Sequence, residues 1–216
     1  MKGKTKMNDI KPIYVHIEGM DLSGKTAITK KLLQSEILNN WESRCNSITK
    51  NNKIYALADS LRKVDKYNSE VLGYLYLAAL KADISDFQCP EISTIQESTI
   101  LCRSFGFYSG KNMENIANLF AKCANAHPKF DLSIILTASI DSRINRLKQR
   151  KIEDNQSIFS DDLLIIKNPQ QFLKMDSEMI KLSQMMFNSK VIDTSQLTID
   201  DVVVQIIEMI QKLNNN

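Results

Sequence analysis

Proline and glycine are scarce in this 216-residue chain, which holds four prolines and six glycines. That excludes a collagen-like or Pro/Gly-rich low-complexity chain, and no stretch reads as an interdomain linker or an internal repeat. Cysteine is also sparse. Cys45, Cys89, Cys102 and Cys123 lie far apart, without the close pairing of a zinc or thiol-redox motif. They are expected to be reduced, mostly buried thiols of a cytoplasmic protein. No window approaches the roughly 18 apolar residues of a membrane span. Lys2, Lys4, Lys6 and Lys11 are not followed by the apolar core of a signal peptide. Charge of one sign is lacking too: 28 basic residues stand against 25 acidic ones, a net of +3. A general nucleic-acid binder would show a concentrated basic surface, so neither nucleic acid nor membrane is an expected partner. The lysine-rich start and Asn214 to Asn216 read as frayed ends.

Short apolar runs alternate with helical patterns. Ile13 to Glu18 reads as a buried strand, followed by Ala27, Ile28, Leu32, Leu33 and Ile37 at helical spacing. A weak strand is expected near Cys45 to Thr49, then two helices, the second carrying Leu72, Leu75, Tyr76, Ala79 and Leu80. Ile92 to Glu97 and Leu132 to Leu136 read as further strands, Val191 to Asp193 as the last. Helices are expected after Lys111, from Ile140, through the methionine stripe Met175 to Met186, and over Val202 to Ile210. Lys151 to Ser160 is polar and weakly patterned, the composition of a mobile loop. Strands separated by helices imply a parallel sheet covered on both faces. The expectation is a three-layer α/β fold with about five strands, one domain over 1–216, with a mobile lid around 143–160.

Gly19-Met20-Asp21-Leu22-Ser23-Gly24-Lys25-Thr26 matches the phosphate-binding loop pattern at every fixed position, between an apolar strand and an amphipathic helix. Its glycines let successive N–H groups turn toward phosphate oxygens, and the following helix adds the positive end of its dipole. Lys25 would meet the β- and γ-phosphates, and the Thr26 hydroxyl would ligate magnesium. The pattern implies triphosphate binding, with ATP and Mg2+ as the expected cofactors.

Glu97 closes the third strand and is the expected second magnesium carboxylate, at the sheet edge where doubly wound folds bind ligands. Its alternative is a solvated strand end. Arg103 follows in a stretch with Phe105, Phe107 and Tyr108. It would grip an acceptor phosphate or carboxylate while the aromatics flank a base; equally, the aromatics are core and Arg103 an exposed helix residue. Arg143, Arg146 and Arg150 share one helix face and suit a lid that delivers positive charge to transferring phosphates, against the alternative of a solvated basic face. His16 and His127 have no evident catalytic partner and read as a packed core histidine and a surface one.

The loop residues HIEGMDLSGKT, the segment DLSIILTASIDSRINRLKQR and the closing VIDTSQLTIDDVVVQII together resemble thymidylate kinases and their relatives among P-loop nucleoside monophosphate kinases. The resemblance runs from about Ile13 to about Leu213. It implies that Asp21, inside the loop, approaches the acceptor's sugar hydroxyl, and that the 140–150 helix is the lid helix. Three departures stand out. Gln96-Glu97-Ser98 replaces the family's aspartate-arginine-tyrosine. Thr49-Lys50-Asn51-Asn52-Lys53 stands where an arginine-glutamate-proline segment is usual. Lys81 falls where an arginine reads the base. The donor side therefore looks intact and the acceptor side rewritten. The expected activity is γ-phosphoryl transfer from ATP to a nucleotide or nucleotide-like acceptor, with Lys25, Asp21, Arg103, Arg146 and Arg150 catalytic. The loop residues and Arg143 would bind the donor. One alternative is a kinase of a nucleoside or specialised metabolite, and another is a non-catalytic nucleotide-binding protein. A small-molecule acceptor is the expected partner, with homodimerisation left open.

Overall fold

Tyr14–Glu18 forms strand β1, and all five residues are buried because β1 lies in the middle of the sheet. The computed structural model describes residues 11–64, 67–153 and 163–214. Among these residues, β1 joins β2 (Glu42–Cys45), β3 (Thr94–Glu97), β4 (Leu132–Thr137) and β5 (Lys190–Asp193) in one five-stranded sheet of order β2-β3-β1-β4-β5. Every pairing is parallel. The second strand ends at Cys45, earlier than the sequence suggests. It is an edge strand whose residues alternate between half-buried and exposed, so it lacks the continuous apolar run that marks a buried strand.

The connecting helices are α1 (Lys25–Leu33), α2 (Lys53–Lys63), α3 (Ser69–Asp86), α4 (Ile100–Gly110), α5 (Glu114–Cys123), α6 (Ile140–Glu153), α7 (Leu164–Lys167), α8 (Pro169–Phe187) and α9 (Ile199–Asn214). Their starts follow local chemistry. Asn52, Asn68, Thr99 and Asn168 each accept a backbone N–H of the first turn, and Pro169 opens α8. The pleat of β1 separates two cores. Val15 and Ile17 pack with Ile28 and Leu32 of α1 and Val202, Ile206 and Ile210 of α9. On the other face a larger apolar cluster joins α3, α4, α5 and α8. There α4 and α8 cross closely. A Cβ at Gly110 would sit 2.1 Å from Met175 Cγ, so glycine is what lets α4 lie against α8.

Two sequence expectations change. His127 is buried, not on the surface: it packs against Phe130 and Phe187, and burial depresses its pKa to about 4. Cys102 and Cys123 are buried, but Cys45 and Cys89 are exposed. No described helix is long and apolar enough to cross a membrane. Of the expected lid, residues 143–153 belong to α6, and residues 154–160 lie outside the described residues.

Candidate active site

Parallel strands place all their carboxyl ends on one edge, and β1 and β3 deliver the expected donor residues there. The loop from Gly19 to Thr26 joins β1 to α1. Gly19 adopts φ 152°, and a Cβ on it would lie 2.3 Å from the Leu136 carbonyl oxygen of β4. Only glycine fits both the conformation and the approach. The Lys25 ammonium folds back over the loop and donates to the carbonyl oxygens of Gly19 and of Met20, the latter at 3.1 Å. Burial and the charge of Arg103 lower its pKa, against the pull of Asp21, Glu18 and Glu97.

Thr26 and Glu97, distant in sequence, meet here: the Thr26 hydroxyl donates to Glu97 Oε1 at 2.6 Å. This all-oxygen pair beside the loop suits a hard cation such as Mg2+. Arg103 of α4 reaches Asp21, with Nη2 2.9 Å from Oδ1 and 3.2 Å from Oδ2, and its Nη1 lies 3.3 Å from the Gly19 oxygen. Burial would raise the Asp21 pKa, but Arg103 and Lys25 overcome it and hold the carboxyl at about 2.

Glu18 is a site residue that its sequence position did not single out. It is fully buried. One oxygen accepts Gly19 N–H at 3.0 Å and the Ser98 hydroxyl at 2.8 Å; the other accepts Thr99 N–H at 3.0 Å. His16 lies 3.6 Å away. Burial acts to raise its pKa, but His16, Lys25 and Arg103 leave it lowered. Glu18 thereby ties the start of the phosphate loop to the turn that leads from Glu97 into the helix bearing Arg103. The available signal was a glutamate closing a largely apolar strand, since a buried carboxylate must find several donors.

The three arginines of α6 are not equivalent. Arg143 is wholly buried. It donates to the carbonyl oxygens of Ala138 at 2.9 Å and Asp21 at 2.6 Å, and to Asp176 at 3.0 Å. It meets the loop from behind, as a brace on its backbone. Arg146 likewise donates to Leu22 O at 2.9 Å and Thr194 O at 2.6 Å. Arg150 is exposed on the last turns of α6. Arg143→Ala is expected to destabilise the fold by about 3–5 kcal/mol, because Asp176 would stay buried without its cation. A thermal melt checks this, and an unchanged midpoint would dismiss the brace.

A cleft of about 430 Å³ opens beside the loop, within the range of small-molecule sites. Met20 and Asp21 belong to its lining. Tyr76, Phe107, Tyr108 and Phe172 give it aromatic walls, and Tyr55, Asp59, Arg62 and Lys63 of α2 line it as well. Phe107 and Tyr108 thus reach the cleft, while Phe105 packs on the core. Lys81 is exposed on α3 and is not among the lining residues, whereas Tyr76 of the same helix is. The segment after β2 is tied down by buried Asp83, which accepts from Ser47, Ile48 N–H, Thr49 and Asn52 at 2.7–2.9 Å. Lys50 pairs with Glu42 at 3.3 Å. Sequence reasoning missed the α2 residues because a charged stripe on a short helix looks like solvated surface.

No protein-family model matches the chain, and no curated protein sequence matches it significantly. Solved structures do. Thymidylate kinase from Candida albicans superposes with a TM-score of 0.67 at 16% identity, covering 94% of each chain. Deoxyadenosine kinase from M. mycoides with bound dATP gives 0.59 at 18%, covering 92% of this chain and 100% of that one. Thymidylate kinase from Ehrlichia chaffeensis gives 0.59 at 12%, covering 93% and 99%. What is shared at these identities is the fold, a thymidylate-kinase-like three-layer α/β P-loop kinase fold.

Proposed function

We propose that the chain is an ATP-dependent phosphotransferase that moves the γ-phosphoryl group onto a nucleoside or nucleotide acceptor seated in the cleft. The observation that supports this reading is the continuity of loop and cleft: Met20 and Asp21 belong to both. The acceptor's reacting oxygen would then lie next to the loop that holds the donor phosphates, as in-line transfer requires. Structural neighbours include kinases of both acceptor types.

Lys25 would exchange the Gly19 and Met20 carbonyls for β- and γ-phosphate oxygens. Thr26, with Glu97 directly or through water, would hold the Mg2+ that arrives with ATP and neutralises phosphate charge. Asp21, ionised throughout the physiological range, would accept a hydrogen bond from the acceptor and orient it. Arg103 would hold Asp21 in place and face the charge that grows on the transferring group. The aromatic walls would flank a base. Exposed Arg150, near the end of α6, is the α6 arginine we assign to charge delivery.

The test is an ATP-consumption screen over nucleosides, nucleoside monophosphates and small hydroxylated metabolites. At least one acceptor should raise ADP formation well above the acceptor-free rate. Thymidylate should fall below about 10⁴ M⁻¹s⁻¹ in kcat/KM, because Lys50 is engaged elsewhere and Lys81 lies off the cleft. No stimulation by any acceptor would favour a non-catalytic nucleotide-binding protein.

A further inference from the structure

On α2, Asp59 lies four residues after Tyr55, three before Arg62 and four before Lys63, and all four line the cleft. They make the charged wall of a pocket that is otherwise largely aromatic and apolar. Asp59 is the centre of this wall. Its Oδ1 lies 3.1 Å from Arg62 Nη2 and its Oδ2 lies 2.7 Å from Lys63 Nζ. The Asp59 side chain is 21% exposed and those of Arg62 and Lys63 are 36% and 53% exposed, so these are cleft groups in reach of a ligand. Elsewhere in the lining, Arg103 is engaged with Asp21. Among the described lining residues, three cations therefore face two carboxylates.

We propose that Asp59 is a specificity-determining residue that sets the choice between neutral and phosphorylated acceptors. This inference rests on the acceptor reading of the cleft. The physical reason is that one carboxylate pairs with two cations and offsets about half of their charge inside the cleft. A neutral nucleoside can occupy the aromatic walls and leave the Asp59 cluster intact. A nucleoside monophosphate brings two negative charges into a confined, partly desolvated space, where a fixed carboxylate is felt strongly. Such an acceptor must either be repelled by Asp59 or displace it from Lys63 and Arg62. Discrimination built on a repulsive group in this way needs no contact with the favoured ligand. Lys63 is the attractive half of the device, since its ammonium is the more exposed cation and is available to a phosphate once Asp59 gives way.

Positive charge enters the cleft from α2, where Arg62 and Lys63 are matched by an acid one helical turn away. The arrangement suits a site whose preference is tuned by charge balance, not by a single phosphate-gripping arginine.

The experiment uses the full chain as wild type, Asp59→Asn and Lys63→Met. Asparagine keeps the shape of aspartate and removes only its charge. Affinities for the four common deoxynucleosides and their 5′-monophosphates are measured by calorimetry, and kcat/KM with ATP for each pair that turns over. In Asp59→Asn the monophosphate-to-nucleoside ratio should rise at least about tenfold, the effect of one full charge at short range in a partly buried site. In Lys63→Met it should fall below the wild-type ratio, with nucleoside affinity changed little. Ratios within twofold of wild type in both variants would overturn the proposal and reduce the cluster to ordinary helix-surface ion pairs. Failure of every nucleoside and monophosphate to bind would overturn it as well. Binding ratios that shift as expected without phosphoryl transfer would leave Asp59 as the selector and remove the kinase reading instead, so the two ideas fail separately.

Discussion

Lys25→Ala is expected to cut phosphoryl transfer at least about a hundredfold, on the scale of removing one preorganised electrostatic stabiliser. The fold should survive. The Lys25 side chain is only half buried, and its hydrogen bonds go to two carbonyls of its own loop. The residues of α1 that hold the core are Ile28 and Leu32, and Gly19 still sets the loop's path against β4. What disappears is the ammonium that would leave the Gly19 and Met20 carbonyls for the β- and γ-phosphates. Because charge on those oxygens changes most during transfer, the loss should fall on kcat more than on ATP affinity. ADP formation in the presence of a working acceptor, alongside a thermal melt, checks both halves. Turnover within tenfold of wild type would remove the loop from the mechanism.

Arg103→Ala is expected to lower kcat by about a hundredfold to a thousandfold and to change how the rate depends on pH. Arg103 is the closest cation to Asp21, at 2.9 Å. With it, the Asp21 pKa stands near 2, below its ordinary 3.8. Without it, burial is opposed mainly by Lys25, so the carboxyl should titrate at higher pH. An orienting Asp21 must be ionised to accept the hydrogen bond that the acceptor's hydroxyl donates. The acid limb of the rate profile should therefore move to higher pH in the variant. The linked stability effect has the same origin. A depressed carboxyl pKa stabilises the fold fully above 3.8 and loses that contribution as pH falls toward 2. An acid limb that stays in place would mean that Asp21 titration does not govern the rate.

The Gly19–Thr26 loop was legible because its pattern is written in contiguous residues. Eight positions in a row, from Gly19 to Thr26, state the turn, the lysine and the hydroxyl. The strands β1, β3 and β4 were legible because central parallel strands are buried on both faces and read as apolar runs. Edge strand β2 was displaced by several residues for the opposite reason. Helix α4 was not assigned at all. Its segment ILCRSFGFYSG is apolar on most sides, with eight buried residues, so it lacks the one-sided pattern by which a surface helix is recognised. That helix carries Arg103, and the roles weighed for Arg103 could not be separated until α4 was placed.

The sequence by itself determined the fold class, the parallel sheet of about five strands and the position of the Gly19–Thr26 loop, since local periodicity and a contiguous motif suffice for each. Only the tertiary structure decided which residues from distant segments share the site. It brought Thr26 to Glu97 across 71 residues and Asp21 to Arg103 across 82. It buried Arg143 behind the loop, and it turned a charged stripe of α2 into a cleft wall. The physical reason is that a charged side chain on a helix has the same local pattern whether it faces water, a backbone carbonyl or a ligand cleft. Which of these it faces depends on how the helix packs, and packing is settled by contacts between residues far apart in the chain.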